Sequence, residues 1–253
     1  MKKVGISGAN GKMGRLAISV IEAAADLSIA WLYAPGREGQ EISGYKVDGD
    51  ISSLSDCDVV IELTNPAAAD ENVPQWLARG FDLVIGTSGF TESRIASLEA
   101  QWSNAEARCL LVPNFAIGAV LMMRFAEQAA PYFESAEIVE MHHHTKPDAP
   151  SGTALHTAAR MAKARTGQPH SRGEEIVSGA LGANVDDIPV HSLRVQGAAA
   201  HQEVILGTVG QYLTVRHDTV SYDCFSPGMK LALQQVSTLE PGLTVGLEGL
   251  LGI

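Results

Sequence analysis

Short apolar runs alternate with amphipathic stretches through about the first 113 residues of the chain. The runs have the length of buried strands and cover residues 3–7, 27–33, 59–63, 83–85 and 109–112. Residues 12–25 repeat apolar positions at helical spacing, and helical stretches separate several of the later runs. Strands that alternate with helices form a parallel sheet covered on both faces, so this half of the chain predicts an α/β domain.

The pattern changes after Asn114 and predicts a second, α+β unit. A long helix, a strand, another helix and a pair of strands are predicted there, over residues 120–133, 137–142, 151–166 and 190–215. Glycines predict the turns of the strand pair, at Gly197, Gly207 and Gly210. Residues 165–188 are polar and rich in glycine, which predicts a long loop with a short strand at its middle.

Length and composition fit a globular protein with one large domain or two modest ones. The chain has 253 residues, of which 45% are hydrophobic and 19% charged. No apolar run approaches the roughly 18 residues that a membrane span needs, so we expect no membrane partner. Glycines and Asn10 interrupt the N-terminal MKKVGISGAN before an apolar segment of signal-peptide length forms. We therefore expect a cytoplasmic protein.

Cysteine content and charge narrow the choice of ligands. The isolated Cys57, Cys109 and Cys224 are odd in number, which favours neither a disulfide framework nor a closely spaced thiolate metal site. The formal net charge of -11 repels polyanions, so we expect no nucleic acid as a partner. A small anionic ligand must instead meet a local basic cluster.

Residues 8–14, Gly-Ala-Asn-Gly-Lys-Met-Gly, follow the first predicted strand and open the first predicted helix. Glycines there permit a tight turn and close approach of the backbone, while the N–H groups of the helix start attract a pyrophosphate. The spacing G-x-x-G-x-x-G departs from the commoner G-x-G-x-x-G, and a tight turn without a ligand is the alternative. The residues of this turn assigned to a dinucleotide cofactor are Gly8, Asn10, Gly11, Lys12 and Met13.

Two later segments favour a ligand at the turn. GTSGF at residues 86–90 ends one predicted strand, and residues 113–115 follow the next. Parallel sheets place their ligand crevice at these carboxyl ends of the strands. The residues assigned to the cofactor at these strand ends are Gly86, Thr87, Pro113, Asn114 and Phe115.

A basic segment lies just ahead of a predicted helix in the second unit. Residues 137–154 concentrate three consecutive histidines and Lys146 before Ser151, the predicted N-cap, and this combination predicts an anion site. A metal site is the alternative. Adjacent histidines on a strand point to opposite faces, however, and no nearby cysteine or regular carboxylate spacing completes a tetrahedral set. We therefore expect no metal, and we assign His144 to the surface.

From Val4 to Leu250 the chain resembles the 4-hydroxy-tetrahydrodipicolinate reductase family, also called dihydrodipicolinate reductases. The family signature E-[IV]-x-E-x-H-x-x-x-K-x-D-x-P-S-G-T-A is matched without a gap by residues 137–154. Further matches, which resemble the shorter subtype, are GTSGF, PNFAIGAV, AHQEVILGTVG, LTVRHD and PGLTVGLE. Because the signature is long, the resemblance is specific.

The resemblance implies a Rossmann-type parallel-sheet domain plus an inserted α+β mixed-sheet domain. Residues 1–113 and 226–253 would form the dinucleotide-binding domain, and residues 114–225 would bind substrate and build a homotetramer. The implied reaction is reduction of 4-hydroxy-tetrahydrodipicolinate to tetrahydrodipicolinate, with loss of water, in lysine and diaminopimelate biosynthesis. NADPH or NADH would be the cofactor.

The signature also implies roles for individual residues. His142 would be the general acid that protonates the substrate as hydride arrives, and Lys146 would support that step and hold a carboxylate. His143 would line the pocket. The residues implied to bind the second carboxylate are Ser151, Gly152 and Thr153. A histidine suits the proton transfer because it titrates close to working pH.

The chain departs from the family pattern near the expected ligands. Tyr33 stands where an acidic residue usually takes the adenosine ribose hydroxyls, and Tyr222 stands where an arginine is usual. Thr145 replaces a frequent histidine, and residues 63–66 replace a phenylalanine-bearing segment. The choice between NADPH and NADH therefore stays open, as does a related reductase for another cyclic imine or enamine dicarboxylate. The intact histidine and lysine of the signature argue against a non-catalytic protein with this fold.

Overall fold

A computed structural model describes residues 1–87, 89–103, 105–165 and 173–253. The chain folds into two compact units. The first combines Met1–Ile117 with Phe225–Ile253, and the second is Gly118–Cys224. None of the helices in these parts of the chain is long and apolar enough to cross a membrane.

Eight strands of the first unit form one sheet: β1 (Lys2–Ser7), β2 (Leu27–Tyr33), β3 (Glu41–Ile42), β4 (Tyr45–Asp48), β5 (Val59–Glu62), β6 (Asp82–Ile85), β7 (Arg108–Leu111) and β13 (Gly242–Val245). Their order is β13-β7-β6-β5-β1-β2-β4-β3, and every pairing except that of β3 with β4 is parallel. The strand order reverses between β1 and β5, which creates the switch point where such sheets bind ligands. The predicted parallel sheet is confirmed.

Within the described residues, the first unit contains five α-helices: α1 (Lys12–Glu22), α2 (Pro66–Ala78), α3 (Glu92–Trp102), α6 (Ser226–Gln235) and α7 (Glu248–Leu251). One buried cluster joins α1 and α6 to one side of the sheet, and a second joins α2 and α3 to the other, with Trp76 and Trp102 fully buried. Helices therefore cover both faces, as the alternating pattern predicts. The helix predicted over 12–25 ends earlier, because Ala23 caps it at its C-terminus.

The five predicted strands of this sheet lie within one residue of the observed bounds, whereas β3, β4 and β13 were not predicted. The first two form a small hairpin whose turn holds Ser43 and Gly44 at positive φ of 51° and 81°. Unlike β5, β6 and β7, none of the three contains a run of consecutive apolar residues, so the pattern gives no strand signal there. Their positions follow from pairing: β4 pairs with β2, β3 with β4, and β13 with β7.

The second unit contains a mixed five-stranded sheet of β8 (Ser135–His142), β9 (Ala183–Val185), β10 (Ile188–Arg194), β11 (Ala200–Thr208) and β12 (Gln211–Thr219). The order is β12-β11-β8-β10-β9, with β8 and β10 parallel and the other pairs antiparallel. The helices α4 (Ile117–Ala129) and α5 (Gly152–Ala164) precede and follow β8. Ala154, Ala158 and Met161 of α5 share a core with Ile138 and Val204 of the sheet, so one face of the sheet is covered.

The region predicted as a pair of strands is divided among three, β10, β11 and β12. Gly197 and Gly210 lie in turns with φ of 87° and 78°. Gly207 lies inside β11 instead, where a Cβ would be 2.7 Å from the Ser135 hydroxyl, so this glycine marks a close approach and not a turn. The short strand predicted at the middle of the loop 165–188 is found near its end, as β9. Residues 166–172, including Thr166 of the predicted helix, lie outside the described residues.

Candidate active site

The glycine turn between β1 and α1 closes against the end of β5. Gly8 has a φ of 83°, and a Cβ there would lie 2.8 Å from the carbonyl carbon of Leu63. The N–H groups of Gly8 and Ala9 donate to the carbonyl oxygen of Tyr33 at 2.9 and 3.3 Å. At Gly14 a Cβ would lie 2.3 Å from the carbonyl oxygen of Gly8. Only glycine fits both positions without displacing backbone.

The start of α1 fits a bound anion. Gly11 is the N-cap residue, and among the described residues no side chain caps the first turn. Of the other predicted turn residues, Asn10 and Lys12 are exposed and Met13 is half-buried. A pyrophosphate accepts hydrogen bonds from such N–H groups and is favoured by the helix dipole. The turn therefore has the form that a dinucleotide needs.

The loops that follow β5 and β6 are tied together beside this turn. The Gly86 N–H donates to the Glu62 carbonyl at 2.9 Å, and the Thr87 hydroxyl donates to the Thr64 carbonyl at 3.1 Å. A Cβ on Gly86 would lie 2.4 Å from the ring of Phe115, which comes from the loop after β7. The predicted residues at three strand ends are thus brought together along one edge of the sheet. Ser88, inside the GTSGF segment, lies outside the described residues.

Two residues assigned to the cofactor have buried side chains. Tyr33 is 6% exposed, and its ring meets that of Trp76 edge-on with the centroids 5.5 Å apart. Phe115 is 3% exposed and packs on Gly86. Tyr33 supports the turn through its backbone carbonyl, and contact of its side chain with a ribose stays a prediction. Asn114 is half-buried, and its side-chain oxygen accepts a 2.9 Å hydrogen bond from the Ala116 N–H.

A buried carboxylate that was not among the sequence predictions lies under the same edge. Glu62, at the end of β5, is fully buried. It accepts hydrogen bonds from the backbone and hydroxyl of Thr64, from Asn72 at 3.2 Å and from the indole of Trp76 at 3.0 Å. These donors offset the cost of burying the charge and fix the loop that contacts the glycine turn. The available signal was a charged residue at the end of the apolar run VVIEL.

In the second unit, His142 occupies the last position of β8. Its Nδ1 lies 2.5 Å from a carboxylate oxygen of Glu140, and its side chain is 16% exposed. Residues two apart on a strand share a face, which explains why the carboxylate lies beside the ring. The imidazole is therefore held by β8 itself.

Glu140 is fully buried and joins three elements. Arg194 of β10 donates from both terminal nitrogens to its two carboxylate oxygens, each at 3.0 Å, and the Ser151 N–H donates at 3.2 Å. Arg194 also donates to the Asp148 carbonyl at 2.5 Å. One carboxylate thus links His142, a neighbouring strand and the start of α5.

The loop after β8 gives its basic residues different surroundings. The ammonium group of Lys146 pairs with the carboxylate of Asp148 at 2.6 and 2.8 Å. The backbone N–H of Lys146 donates to the His143 carbonyl at 3.1 Å. Nδ1 of His143 lies 2.8 Å from the hydroxyl of Thr145, and both His143 and His144 are exposed. Across the described parts of the chain, no group of three or more His, Cys, Asp or Glu residues is arranged to hold a metal ion.

The start of α5 carries the predicted anion-binding residues. The Ser151 hydroxyl accepts a 3.2 Å hydrogen bond from the Ala154 N–H, which confirms Ser151 as the N-cap. A Cβ on Gly152 would meet nothing within 4 Å, so the helix start is open to a ligand. Thr153 is half-buried in the first turn, where N–H groups have no acceptor in the helical ladder. The three residues therefore fit a carboxylate.

Burial and charge set the protonation states of the pair. Burial lowers the pKa of His142; the hydrogen bond and charge of Glu140 oppose this, and Lys146 and Arg194 lower the pKa further. Burial raises the pKa of Glu140, but the hydrogen bonds from Arg194, Ser192 and His142 and the charge of His142 together outweigh it and leave the pKa below its usual value. Glu140 is therefore ionised near neutral pH. A bound dianion would raise the pKa of His142 toward the protonated form.

Glu140 and Arg194 were not among the residues that the sequence pattern assigned to the site. The position of Glu140 could have been predicted from the sequence, because a residue two positions before His142 on a strand shares its face. The position of Arg194 could not, because its place beside His142 is set by the parallel pairing of β10 with β8. No local pattern in either segment specifies that register.

Both halves of the chain match models of one protein family. Residues 2–115 match the model described as dihydrodipicolinate reductase, N-terminus. Residues 118–251 match the model described as dihydrodipicolinate reductase, C-terminus. The matched segments together span nearly the whole chain.

Individual relatives agree with the family models. The 4-hydroxy-tetrahydrodipicolinate reductase of Mycolicibacterium smegmatis is 46% identical over 257 residues, covering 99% of each chain. The enzyme of that name from Streptomyces coelicolor is 44% identical, covering 99% of this chain and 98% of its own. The solved structure of a dihydrodipicolinate reductase from Paenisporosarcina sp. TG-14, with dipicolinate bound, is 36% identical with a TM-score of 0.88 and covers 98% of this chain and 99% of that one. The similarity extends over sequence and fold alike.

Proposed function

The chain belongs to the dihydrodipicolinate reductase family, and we propose that it reduces 4-hydroxy-tetrahydrodipicolinate to tetrahydrodipicolinate with loss of water. The product would enter lysine and diaminopimelate biosynthesis. The observation that carries the proposal is the pairing of His142 with buried Glu140, which also binds the start of α5. A proton donor beside an anion site suits a ring that bears two carboxylates.

The residues around His142 and those at the start of α5 have separate roles. His142 holds the proton that the substrate receives when hydride adds, because its ring is fixed by Glu140 and is partly exposed. Lys146 neutralises one carboxylate of the substrate and favours proton transfer, after exchanging its present partner Asp148 for the ligand. His143 lines the same pocket from the following loop.

The second carboxylate binds at the start of α5. Gly152 and Thr153 supply N–H groups, Ser151 and Thr153 supply hydroxyls, and Gly152 leaves the approach open, while the Ser151 N–H is held by Glu140. Hydrogen bonds from several donors fix the orientation of a planar ring more strongly than a single ion pair does. The ring is thereby held with its reacting atom facing the imidazole.

The first unit would hold NADPH or NADH. The cradle formed by Gly8, Gly11 and Gly14, which a Cβ would fill at Gly8 and Gly14, fits the pyrophosphate. Asn10, Lys12 and Met13 line the turn, and the loops carrying Gly86, Thr87, Pro113, Asn114 and Phe115 would receive the nicotinamide half. When bound, the nicotinamide supplies the hydride. The chain's residues bind it, orient it and shield it from water.

The test is an assay of the purified chain with freshly generated 4-hydroxy-tetrahydrodipicolinate, following loss of reduced nicotinamide. We expect turnover that pyridine-2,6-dicarboxylate inhibits competitively, because that planar dianion resembles the substrate. A cyclic imine dicarboxylate of another ring size serves as the comparison. Faster reduction of that comparison compound would assign the chain to a related reductase, and no reduction of either would overturn the proposal.

We also infer a homotetramer in the cytoplasm. The sheet face of the second unit opposite α5 carries apolar side chains, among them Leu193 at 44% and Tyr212 at 78% exposure, which suit contact with further copies of the chain. The free Cys57 and Cys224 suit a reducing compartment. Native mass spectrometry tests the assembly, and a monomer at micromolar concentration would contradict it.

A further inference from the structure

Glu140 occupies an unusual position for a carboxylate in this unit. It is fully buried, yet it receives hydrogen bonds from His142, from both terminal nitrogens of Arg194 and from the Ser151 N–H. A buried charge with this many donors is stabilised only while each donor stays in place. The network therefore constrains the imidazole and the start of α5 together.

The network also determines which nitrogen of His142 carries a hydrogen. An ionised carboxylate only accepts hydrogen bonds, so the neutral imidazole next to Glu140 must carry its hydrogen on Nδ1. Nε2 is then the nitrogen that gains and releases the second proton. The reaction needs a proton on the nitrogen that does not face Glu140, and this tautomer provides the site for it.

We propose that Glu140 and Arg194 are positioning residues for proton transfer: Glu140 fixes the Nδ1–H tautomer of His142, and Arg194 limits how strongly Glu140 holds the imidazolium. The proposal rests on the proposed function and deepens it. Without Arg194, Glu140 would keep His142 as its only cationic hydrogen-bond partner among the described residues, and the imidazolium would hold its proton too tightly for donation. With Arg194 in place, the charge of Glu140 is divided between the two cations.

Burial and three charged groups set the titration of the ring: Glu140 on β8, Arg194 on β10 and Lys146 in the loop after β8. Lys146 is itself paired with Asp148 of the same loop. The antiparallel neighbour β11 places the uncharged Ala200 opposite His142. The start of α5 adds the Ser151 N–H through Glu140. Glu140 is thus the one group that favours the imidazolium through a direct hydrogen bond among the described residues.

The first experiment needs no substrate. NMR of the imidazole nitrogens in the full chain, with His142→Gln used to assign the signals, reports both the tautomer and the pKa of His142. We expect the Nδ1–H form above that pKa, and a pKa below the ordinary histidine value. A neutral His142 that carries its hydrogen on Nε2 would overturn the proposal.

The second experiment compares the pH dependence of turnover in two variants. A general acid must be protonated, so the rate falls as the pH rises through its pKa. In Glu140→Gln the imidazolium loses its anionic partner, and this falling limb should move to lower pH by about one unit, with turnover at pH 7 reduced about tenfold or more. In Arg194→Met the limb should move the opposite way, to higher pH, by roughly half a unit to one unit.

Two further variants separate positioning from structure. Arg194→Lys keeps the positive charge but loses the two-point contact with Glu140, so its limb should lie between those of the parent and Arg194→Met. Glu137→Gln is the matched control, because Glu137 lies on the same strand and pairs with His191 at 2.7 Å, but on the opposite face of the sheet. Its limb should coincide with that of the parent.

Opposite shifts of the limb support the proposal, since loss of packing alone would lower the rate at every pH without moving the limb. Limbs that coincide with the parent, or that move in the same direction, would overturn it. If Glu140→Gln does not fold, the direction of the Arg194→Met shift and the NMR titration still decide. A parent that binds no substrate would refute the proposed function, and the NMR result would stand apart from it.

Discussion

The two sites of this molecule differ in composition: one is formed by backbone groups and the other mainly by side chains. The glycine turn of the first unit, proposed to hold the cofactor, consists of backbone groups within residues 8–14, and its shape depends on the absence of side chains at Gly8 and Gly14. The proposed acid site of the second unit consists of side chains from β8 and β10 and the Ser151 N–H at the start of α5, with Glu140 fully buried at its centre. Substitutions that add side-chain atoms should therefore weaken binding at the glycine turn. Substitutions that change charge should instead impair proton transfer at His142.

The largest expected effect is at the acid site. We expect His142→Gln to lower turnover about 100-fold or more with a modest change in the Michaelis constant, because glutamine does not donate a proton in this way. Lys146→Ala should damage both constants, since it also binds the substrate. Steady-state kinetics on both variants measures the split.

His144→Gln is the control for that change. His144 is exposed and adjacent in sequence, so its loss tests whether any histidine of the segment would serve. We expect its turnover to stay within about twofold of the parent. Turnover of His142→Gln within a few-fold of the parent would show that another group donates the proton.

The next largest effect is at the cofactor turn. In Gly8→Ala the methyl group would meet the backbone of Leu63 at 2.8 Å, and the left-handed conformation at φ 83° is strained for alanine. Backbone does not yield as a flexible side chain does, so the turn should shift and weaken cofactor binding by about 2 kcal/mol, or roughly 30-fold. Titration calorimetry with the reduced cofactor measures this.

Gly80→Ala is the control that separates backbone strain at positive φ from the steric clash expected in Gly8→Ala. Gly80 also has a positive φ, 73°, but an added Cβ there would meet nothing within 4 Å. It lies between α2 and β6, at the other end of the sheet from the turn. We expect similar loss of thermal stability and unchanged cofactor affinity; equal loss of affinity in both variants would mean that strain alone acts.

A smaller effect is expected at the start of α5. Thr153→Val removes a hydroxyl from the predicted carboxylate site while keeping the shape of the side chain, so substrate binding should weaken by about 1 to 3 kcal/mol. Cofactor affinity should not change, because the glycine turn lies in the other unit. An unchanged Michaelis constant for substrate, or weaker cofactor binding, would show that the substrate is misplaced.

The same contrast explains what the sequence could predict. The glycine turn and the Ser151 N-cap depend on neighbours in the sequence, and both are found where the pattern predicts them. Glu140 and Arg194 act on His142 through strand pairing, and no local pattern specifies that Arg194 lies opposite His142 in the parallel ladder. The turn predicted at Gly207 was wrong for a related reason: this glycine is required by the close approach of Ser135, which comes from another strand.

The smallest expected effect concerns the choice of cofactor. An acidic side chain at the end of β2 would favour NADH by binding the ribose hydroxyls and repelling a 2'-phosphate, but Tyr33 stands there with its ring buried against Trp76. Arg37 is exposed in the turn that follows β2. Its backbone N–H donates to the Ala34 carbonyl at 3.1 Å. We therefore expect no strong preference for NADH.

Arg37→Met tests this more cleanly than a change of Tyr33, because a carboxylate replacing that buried ring would approach the buried Glu62. If Arg37 pairs with the 2'-phosphate, the variant should lose up to about tenfold in kcat/KM with NADPH, as for an exposed charge pair, and nothing with NADH. Equal losses with both cofactors would remove Arg37 from the site. An NADH preference above about 100-fold in the parent, or roughly 2.7 kcal/mol, would place the discriminating residue elsewhere, since neither Tyr33 nor Arg37 accounts for it.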